Sequence, residues 1–376
     1  MVTQSAFTGT VCLPLPEVTQ PKVEGKQAYC IDPLADPRWD FFLECHPGAS
    51  VFHSTAWLSA LSRTYGYKPV VFTTTPAGED LENAIVFCQV ESALTGRRLV
   101  SLPFSDHCDP LVDREDDLRL LSAALDQESS RERWRYVETR ALTPFTLITR
   151  LRRSEMRYTF HQVDLSPAIA TIFNRCHKNS IQRKIRRAER EGLTCMGGSN
   201  AELLDRFHEL FTVTRKRHRL PPPPRQWFSN LIDCFGDDLK IRVAAHKGTP
   251  VSAIITLRHK DTLVYKYGGC DSRFTNLGSM HFLLWNAIAE AKESGLRWFD
   301  LGRTDADQHG LITFKNRWGA AESAVTYSRY SSSEQCTHMF DLSTPEWKTR
   351  AAKYVLEHLP TGVLSTIGRL LYGHVG

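Results

Sequence analysis

Two stretches of this chain, starting about 170 residues apart, run through the same order of patterns: strand, strand, strand, helix, strand. In the first, residues 67–75, 84–92 and 97–102 alternate or run apolar as strands do, a helix follows over 114–129, and a strand over 134–138. In the second, residues 239–246, 251–259 and 262–269 read as a β-meander, 279–294 as a long amphipathic helix stopped by Gly295, and 296–301 as a strand. A repeat of this kind restricts the chain to an α/β (α+β) architecture made of one unit used twice, each unit a mixed twisted sheet flanked by helices. The length of 376 residues agrees, being too long for one core and suited to two of about 150 residues. The expected organisation is a loosely held leader (1–27), a first unit (28–164), a second unit (165–332) and an amphipathic tail (333–376).

Smaller signals fill in this frame. Ser54 stands where an N-cap belongs, ahead of Trp57, Leu58 and Leu61 on one helical face. Residues 166–235 read as helical but are broken by the prolines at 221–224, which force a rigid bend. Hydrophobic residues make up 41% and charged residues 24%, which excludes disordered and membrane-spanning classes. A net charge of +5 over this length does not by itself call for a nucleic-acid partner. Ten cysteines without a Cys-x-x-Cys pair or zinc-ligand spacing point to reduced thiols, no metal site and a cytoplasmic protein. The N-terminus lacks the basic and apolar regions of a secretory signal, and no apolar run approaches the ~20 residues that a bilayer requires.

Chemistry-bearing residues concentrate in a few places. After the last strong strand, residues 298–319 bring together Asp300 and Asp305, suited to holding an amine or orienting a base, and Arg303 and Lys315, suited to an anion or a developing oxyanion. Gly302 and Gly310 let backbone approach a ligand there; the bland alternative is that Asp300 and Arg303 cap and pair within the fold. A second place is the loop 101–111, SLPFSDHCDPL, bracketed by Pro103 and Pro110. His107 between Asp106 and Asp109 has the setting of a general base or a substrate-binding group, with Cys108 a lesser candidate nucleophile and a local turn network the structural alternative. A third is the basic stretch 175–192, with seven Lys/Arg against Glu189 and Glu191; as a helix it turns Ile181, Ile185 and Ala188 inward and Arg183 and Arg187 outward, toward phosphates or simply toward solvent. Stacking aromatics, which an RNA surface would carry, are missing from that stretch.

Residues 265–302, YKYGGCDSRFTNLGSMHFLLWNAIAEAKESGLRWFDLG, together with the Phe314–Lys315 pair, Trp318 and Gly319, resemble the C-terminal domain of the FemAB and FemX-type transferases, which acylate amino groups on cell-envelope precursors. The resemblance runs from about residue 39 to 330 and is strongest after residue 239. It implies tandem GNAT-like (acyl-CoA N-acyltransferase) domains, with Lys315 stabilising charge on the attacked carbonyl; the chemistry of the residues themselves makes His107, Asp109 and Asp300 the expected remainder of the catalytic set. Substrate contacts are expected from Phe314, Arg303, Asp305, Asp106, Tyr267, Arg183 and Arg187. Relatives carry glycines after the Pro-Phe of the first-half loop, where this chain has Asp-His-Cys-Asp.

A GNAT holds coenzyme A pyrophosphate where a helix begins, which falls here on Arg273, Gly278 and Ser279. The donor is therefore expected to be acyl-CoA, or aminoacyl-tRNA as in some relatives; the lack of their helical-hairpin insertion favours the smaller one. The acceptor is a small-molecule or lipid-linked glycan. The tail, with Trp347, Tyr354, Leu364 and Tyr372 among Lys348, Arg350 and Lys353, is suited to docking on the protein or to lying at the inner membrane face, and relatives associated with exopolysaccharide gene sets end similarly. The rival reading is a non-catalytic binding protein for an anionic envelope precursor or an RNA.

Overall fold

The computed structural model describes residues 26–92, 95–332 and 371–374. The leader expected over 1–27, save its last two residues, and most of the expected tail lie outside the described residues. In the first half come β1 (Tyr29–Ile31), α1 (Arg38–Cys45), α2 (Thr55–Tyr65), β2 (Lys68–Thr73), β3 (Ile85–Ser92), β4 (Gly96–Val100), α3 (Glu115–Glu132), β5 (Tyr136–Ala141) and β6 (Arg152–Asp164). The second half contains α4 (Ile169–Arg175), α5 (Arg183–Arg190), β7 (Thr194–Gly198), α6 (Ala201–Arg217), α7 (Arg225–Phe235), β8 (Leu239–His246), β9 (Thr249–His259) and β10 (Thr262–Cys270). It closes with α8 (Ser279–Glu293), β11 (Trp298–Asp305), α9 (His309–Asn316) and β12 (Ala321–Ser331).

The repeated order is present in space. In each half two antiparallel strands lead into a strand that pairs in parallel with the one following the helix: β4 with β5 over Arg98↔Tyr136 to Val100↔Glu138, and β10 with β11 over Thr262↔Trp298 to Val264↔Asp300. All twelve described strands join one sheet, in the order β1-β2-β3-β4-β5-β12-β6-β11-β10-β9-β8-β7. The centre of that order holds an exchange. β6 follows the first half in sequence yet pairs with β11, while β12 ends the second half yet pairs with β5, and the two run antiparallel from Ala321↔Gln162 to Ser331↔Arg152. Neither strand is evident from sequence, because RRSEMRYTFHQVD and AESAVTYSRYS carry charges and hydroxyls at positions where a half-buried strand shows apolar alternation.

Local chemistry explains most of the ends. The Ser54 side chain accepts from Trp57 N at 3.2 Å, and Gly66, at φ +71°, closes α2 in the left-handed conformation that other residues adopt at a cost. The basic stretch is not one helix: residues 178–182 form a wide π-type turn ahead of α5, with Ile181, Ile185 and Ala188 buried as their spacing predicts. Prolines 221–224 separate α6 from α7. The largest apolar cluster crosses from first half to second, joining Trp57, Leu58 and Phe52 to Phe207, Trp227 and Phe228. No described helix is long and apolar enough to cross a membrane.

Candidate active site

The parallel pairing of β10 and β11 stops at Val264↔Asp300, because both strands then become irregular. In β10 the register shifts between Tyr265 and Tyr267, so Lys266 is the bulged residue; in β11 it shifts between Asp300 and Arg303, around Gly302 at φ +73°. Bulges re-aim side chains and end pairing, and the strands splay. The 101–111 loop of the first half fills the opening, with the Asp106 carboxylate 3.3 Å from where a Cβ on Gly302 would sit. Any side chain at 302 would therefore meet that carboxylate as well as the left-handed backbone.

Charged groups meet along this seam. Lys266 Nζ donates to Asp106 Oδ2 at 2.8 Å and sits 5.0 Å from the Phe52 ring centre. His107 lies between two carboxylates, Nδ1 3.7 Å from Asp109 and Nε2 3.7 Å from Asp300; these are ion-pair contacts, too long for hydrogen bonds. Asp109 Oδ1 accepts from Leu142 N, Thr143 N and the Thr143 hydroxyl at 2.7–3.0 Å. Asp300 accepts from Gly302 N at 2.5 Å. Lys315, on the last turn of α9, points inward with 4% exposure, and its Nζ donates to the carbonyls of Gly302 at 2.8 Å and Arg303 at 3.0 Å. An ammonium has three N–H groups, so one remains for another acceptor. The Arg303 guanidinium pairs with Asp305 at 2.8 Å and lies 4.1 Å from the Tyr158 ring centre and 5.1 Å from that of Tyr327.

The protonation states follow. Burial disfavours a charged imidazole, but Asp109 and Asp300 outweigh it and raise His107 to about 9, so this ring carries its proton at neutral pH and has no lone pair to offer as a base. Burial lowers Lys315 to about 8, the attraction of Asp106 and Asp300 only partly opposing it. Burial works against an ionised Asp106 also, but Lys266 holds its carboxyl below the ordinary range. Beside the seam, Glu138 is clamped by Arg140 at 2.8 Å and Arg329 at 2.5 Å, which overcome burial and bring it to about 2.

The structure thus brings Asp106, His107, Asp109, Asp300, Arg303, Asp305 and Lys315 to one region. Of the other sequence candidates, Tyr267 borders the seam, its ring centre 5.7 Å from Lys266 Nζ, and the rest lie apart. Phe314 faces away, against His281 at 5.4 Å and Trp318 at 6.2 Å. Tyr267 turns into the aromatic core, its hydroxyl accepting from Trp227 Nε1 at 2.9 Å. Arg183 is exposed on α5, where Arg187 pairs with Glu191 at 3.6 Å. The Cys108 nucleophile is not tenable: the thiol is buried, 3.4 Å from His53 Nε2, and burial pushes it up to about 12.

The expected pyrophosphate cradle is closed as well. Gly278, at φ +78°, has its α-carbon against α5, so that a Cβ would lie 2.4 Å from the Lys184 carbonyl oxygen; Ser279 is buried, and Arg273 points outward to Asp271 at 2.6 Å. The equivalent helix start of the first half opens on Glu115, Asp116 and Asp117, which repel an anion. As folded here, neither helix start fits coenzyme A pyrophosphate.

Lys266, Glu138, Arg140 and Arg329 went unnoticed in the sequence. A single lysine in the otherwise apolar and aromatic LVYKYGG was the available signal for the first; the others depend on the strand exchange. Two surface concavities, of about 80 Å³ beside Lys240, Arg242 and Glu290 and about 360 Å³ beside Cys30, Lys68 and Gln89, share no lining residue with the seam. Within the seam Lys315, Asp300 and His107 are 4%, 2% and 8% exposed, so little of these groups faces solvent as folded.

Comparison with known proteins agrees with this fold. The model for the acetyltransferase (GNAT) domain matches residues 175–316. The crystal structure of FemX shares the fold with a TM-score of 0.60 at 14% identity, over 80% of this chain and 96% of that one. A tandem GNAT protein from the clavulanic acid biosynthesis pathway gives a TM-score of 0.50 at 10% identity, over 82% of this chain and 99% of that one. The class is therefore a GNAT-fold protein with two related halves. In sequence, a UDP-N-acetylmuramoylpentapeptide-lysine N(6)-alanyltransferase of Weissella viridescens is 29% identical over 94 residues, which are 25% of this chain and 28% of that protein. Within the GNAT class, the chain is similar to FemX-type transferases.

Proposed function

We propose that this chain is an acyltransferase that moves an acyl or aminoacyl group onto an amino group of a cell-envelope or exopolysaccharide precursor, with residues 28–164 and 165–332 as its two units. The observation that carries the reading is Lys315, turned inward between two backbone carbonyls with one N–H left over, in the splay of a GNAT domain. A neutral amine attacking a carbonyl generates an oxyanion, and a buried ammonium stabilises it far better than a solvated one does. Asp300 and Asp106 hold the positive charge of the seam in place, and Arg303 with Asp305 forms its outer rim. With His107 already protonated, its part is to position Asp300 and Asp109; the amine's proton passes to a carboxylate or to water, and collapse of the oxyanion breaks the bond to the donor, which leaves as the coenzyme A thiol or the transfer-RNA hydroxyl after taking up a proton.

The relative named for a UDP-N-acetylmuramoylpentapeptide lysine supports a nucleotide-linked glycan acceptor; a lipid-linked one at the inner face of the membrane is the further alternative that the acceptor assay separates. The close packing of Gly278 against Lys184 speaks against coenzyme A pyrophosphate gripped at that turn as folded; the donor is acyl-CoA, held elsewhere on the GNAT domain, or aminoacyl-tRNA. The test is transfer of labelled acyl groups from acyl-CoA and from aminoacyl-tRNA to muramoylpentapeptide and amino-sugar acceptors, with wild type and Lys315→Ala. Transfer that collapses in the variant supports the reading. Acceptor binding without turnover from either donor would instead make the chain a binding protein.

A further inference from the structure

The short described segment at residues 371–374 lies across the boundary between the halves. Tyr372 is gripped from both sides: Tyr67 of the first half donates to its carbonyl at 2.9 Å, while Arg215 of the second half donates to its hydroxyl at 2.7 Å, and that hydroxyl donates to the Pro221 carbonyl at 3.2 Å. The carbonyl of His374 accepts from Arg98 at 2.9 Å and from the Thr95 hydroxyl at 3.0 Å, and its ring meets the Ser92 hydroxyl at 2.9 Å. Arg98 is 4% exposed, has no carboxylate in ion-pair range among the described residues, and leaves Nε without a partner. A buried guanidinium without a carboxylate is costly unless acceptors are brought to it, and the segment brings one.

The same segment touches the loop of the candidate site. The Tyr372 ring lies 5.6 Å from that of Phe104, two residues before Asp106. Leu102 and Phe104, on either side of Pro103, both hold left-handed backbone, φ 53° and φ 62°, which non-glycine residues avoid unless their surroundings impose it. We propose that residues 371–374 are a latch: docked in the slot formed by Tyr67, Thr95, Arg98 and Arg215, they tie the two halves together and hold the 101–111 loop in the splay of the second sheet, so that release of the latch opens the seam. The inference rests on the seam's geometry and holds whatever chemistry the seam performs.

Hydrogen–deuterium exchange on the full chain tests it. Tyr372→Ala removes the ring contact with Phe104 and the hydroxyl held by Arg215 while keeping the carbonyl that Tyr67 grips, Tyr372→Phe keeps the ring against Phe104 but loses the hydroxyl, and Arg215→Gln removes the donor to that hydroxyl alone. A latch predicts exchange about tenfold faster in 101–111 and 266–270 for Tyr372→Ala, a smaller rise for the other two variants, and unchanged exchange in β8 and β9. Faster exchange confined to 371–374, or spread evenly over the molecule, would overturn it.

Discussion

At the scale of single residues, burial sets the chemistry. Lys315 sits at about 8 because taking an ammonium out of water costs more than Asp106 and Asp300 return, so its charge is lost as pH rises through that value. If it stabilises an oxyanion, kcat falls above about pH 8, and Lys315→Ala lowers kcat on the order of 10²- to 10³-fold and removes that limb. His107 is the opposite case, raised from 6.5 to about 9 by two carboxylates. Its folded value exceeds its unfolded one, so its stabilising contribution is complete below pH 6.5 and disappears as pH rises through 9. Urea unfolding of wild type and His107→Gln should therefore show a wide stability gap near about pH 6 that narrows by about pH 10.

At the scale of elements, two close approaches decide what moves. The β10 bulge aims Lys266 at Asp106. Lys266→Met leaves that carboxylate with its nearest cation gone and costs about 3 kcal/mol in thermal or chemical unfolding, while adding Asp106→Leu recovers part of the loss, a coupling that a double-mutant cycle reads directly. Glycines separate in the same way. Gly278→Ala forces a Cβ to 2.4 Å from the Lys184 carbonyl and must displace α5, whereas Gly295 has open space around it at φ +77°. The first substitution should cost about 2 kcal/mol or more, the second about 1 kcal/mol, the ordinary penalty of left-handed backbone alone.

At the scale of the whole molecule, exchange of β6 and β12 makes each half finish the other's sheet. A chain divided after residue 164 keeps β6 with the first half and leaves β11 an unpaired edge in the second, the kind of surface that aggregates. Residues 165–332 expressed alone should therefore be insoluble or associated on gel filtration, and co-expression with 26–164 should restore a soluble complex. Recovery of a monomeric, well-folded 165–332 would show that the exchange does not bind the halves together.

What the sequence by itself determined were features with a local cause. The repeated strand–helix order, the Ser54 cap, the inward face of Ile181, Ile185 and Ala188, and the polar character of the stretches 101–111 and 298–319 all follow from periodicities and residue chemistry a few positions wide. Tertiary structure alone decided that 298–319 is the strand β11 and the helix α9 and not a loop, and that the two stretches, nearly two hundred residues apart, face each other. It decided also that His107 is charged, that Cys108 is inert, that Lys266 belongs to the seam and that the start of α8 is covered. Each of these depends on which distant group lies within a few ångströms in a medium of low dielectric, and no short-range pattern encodes that distance.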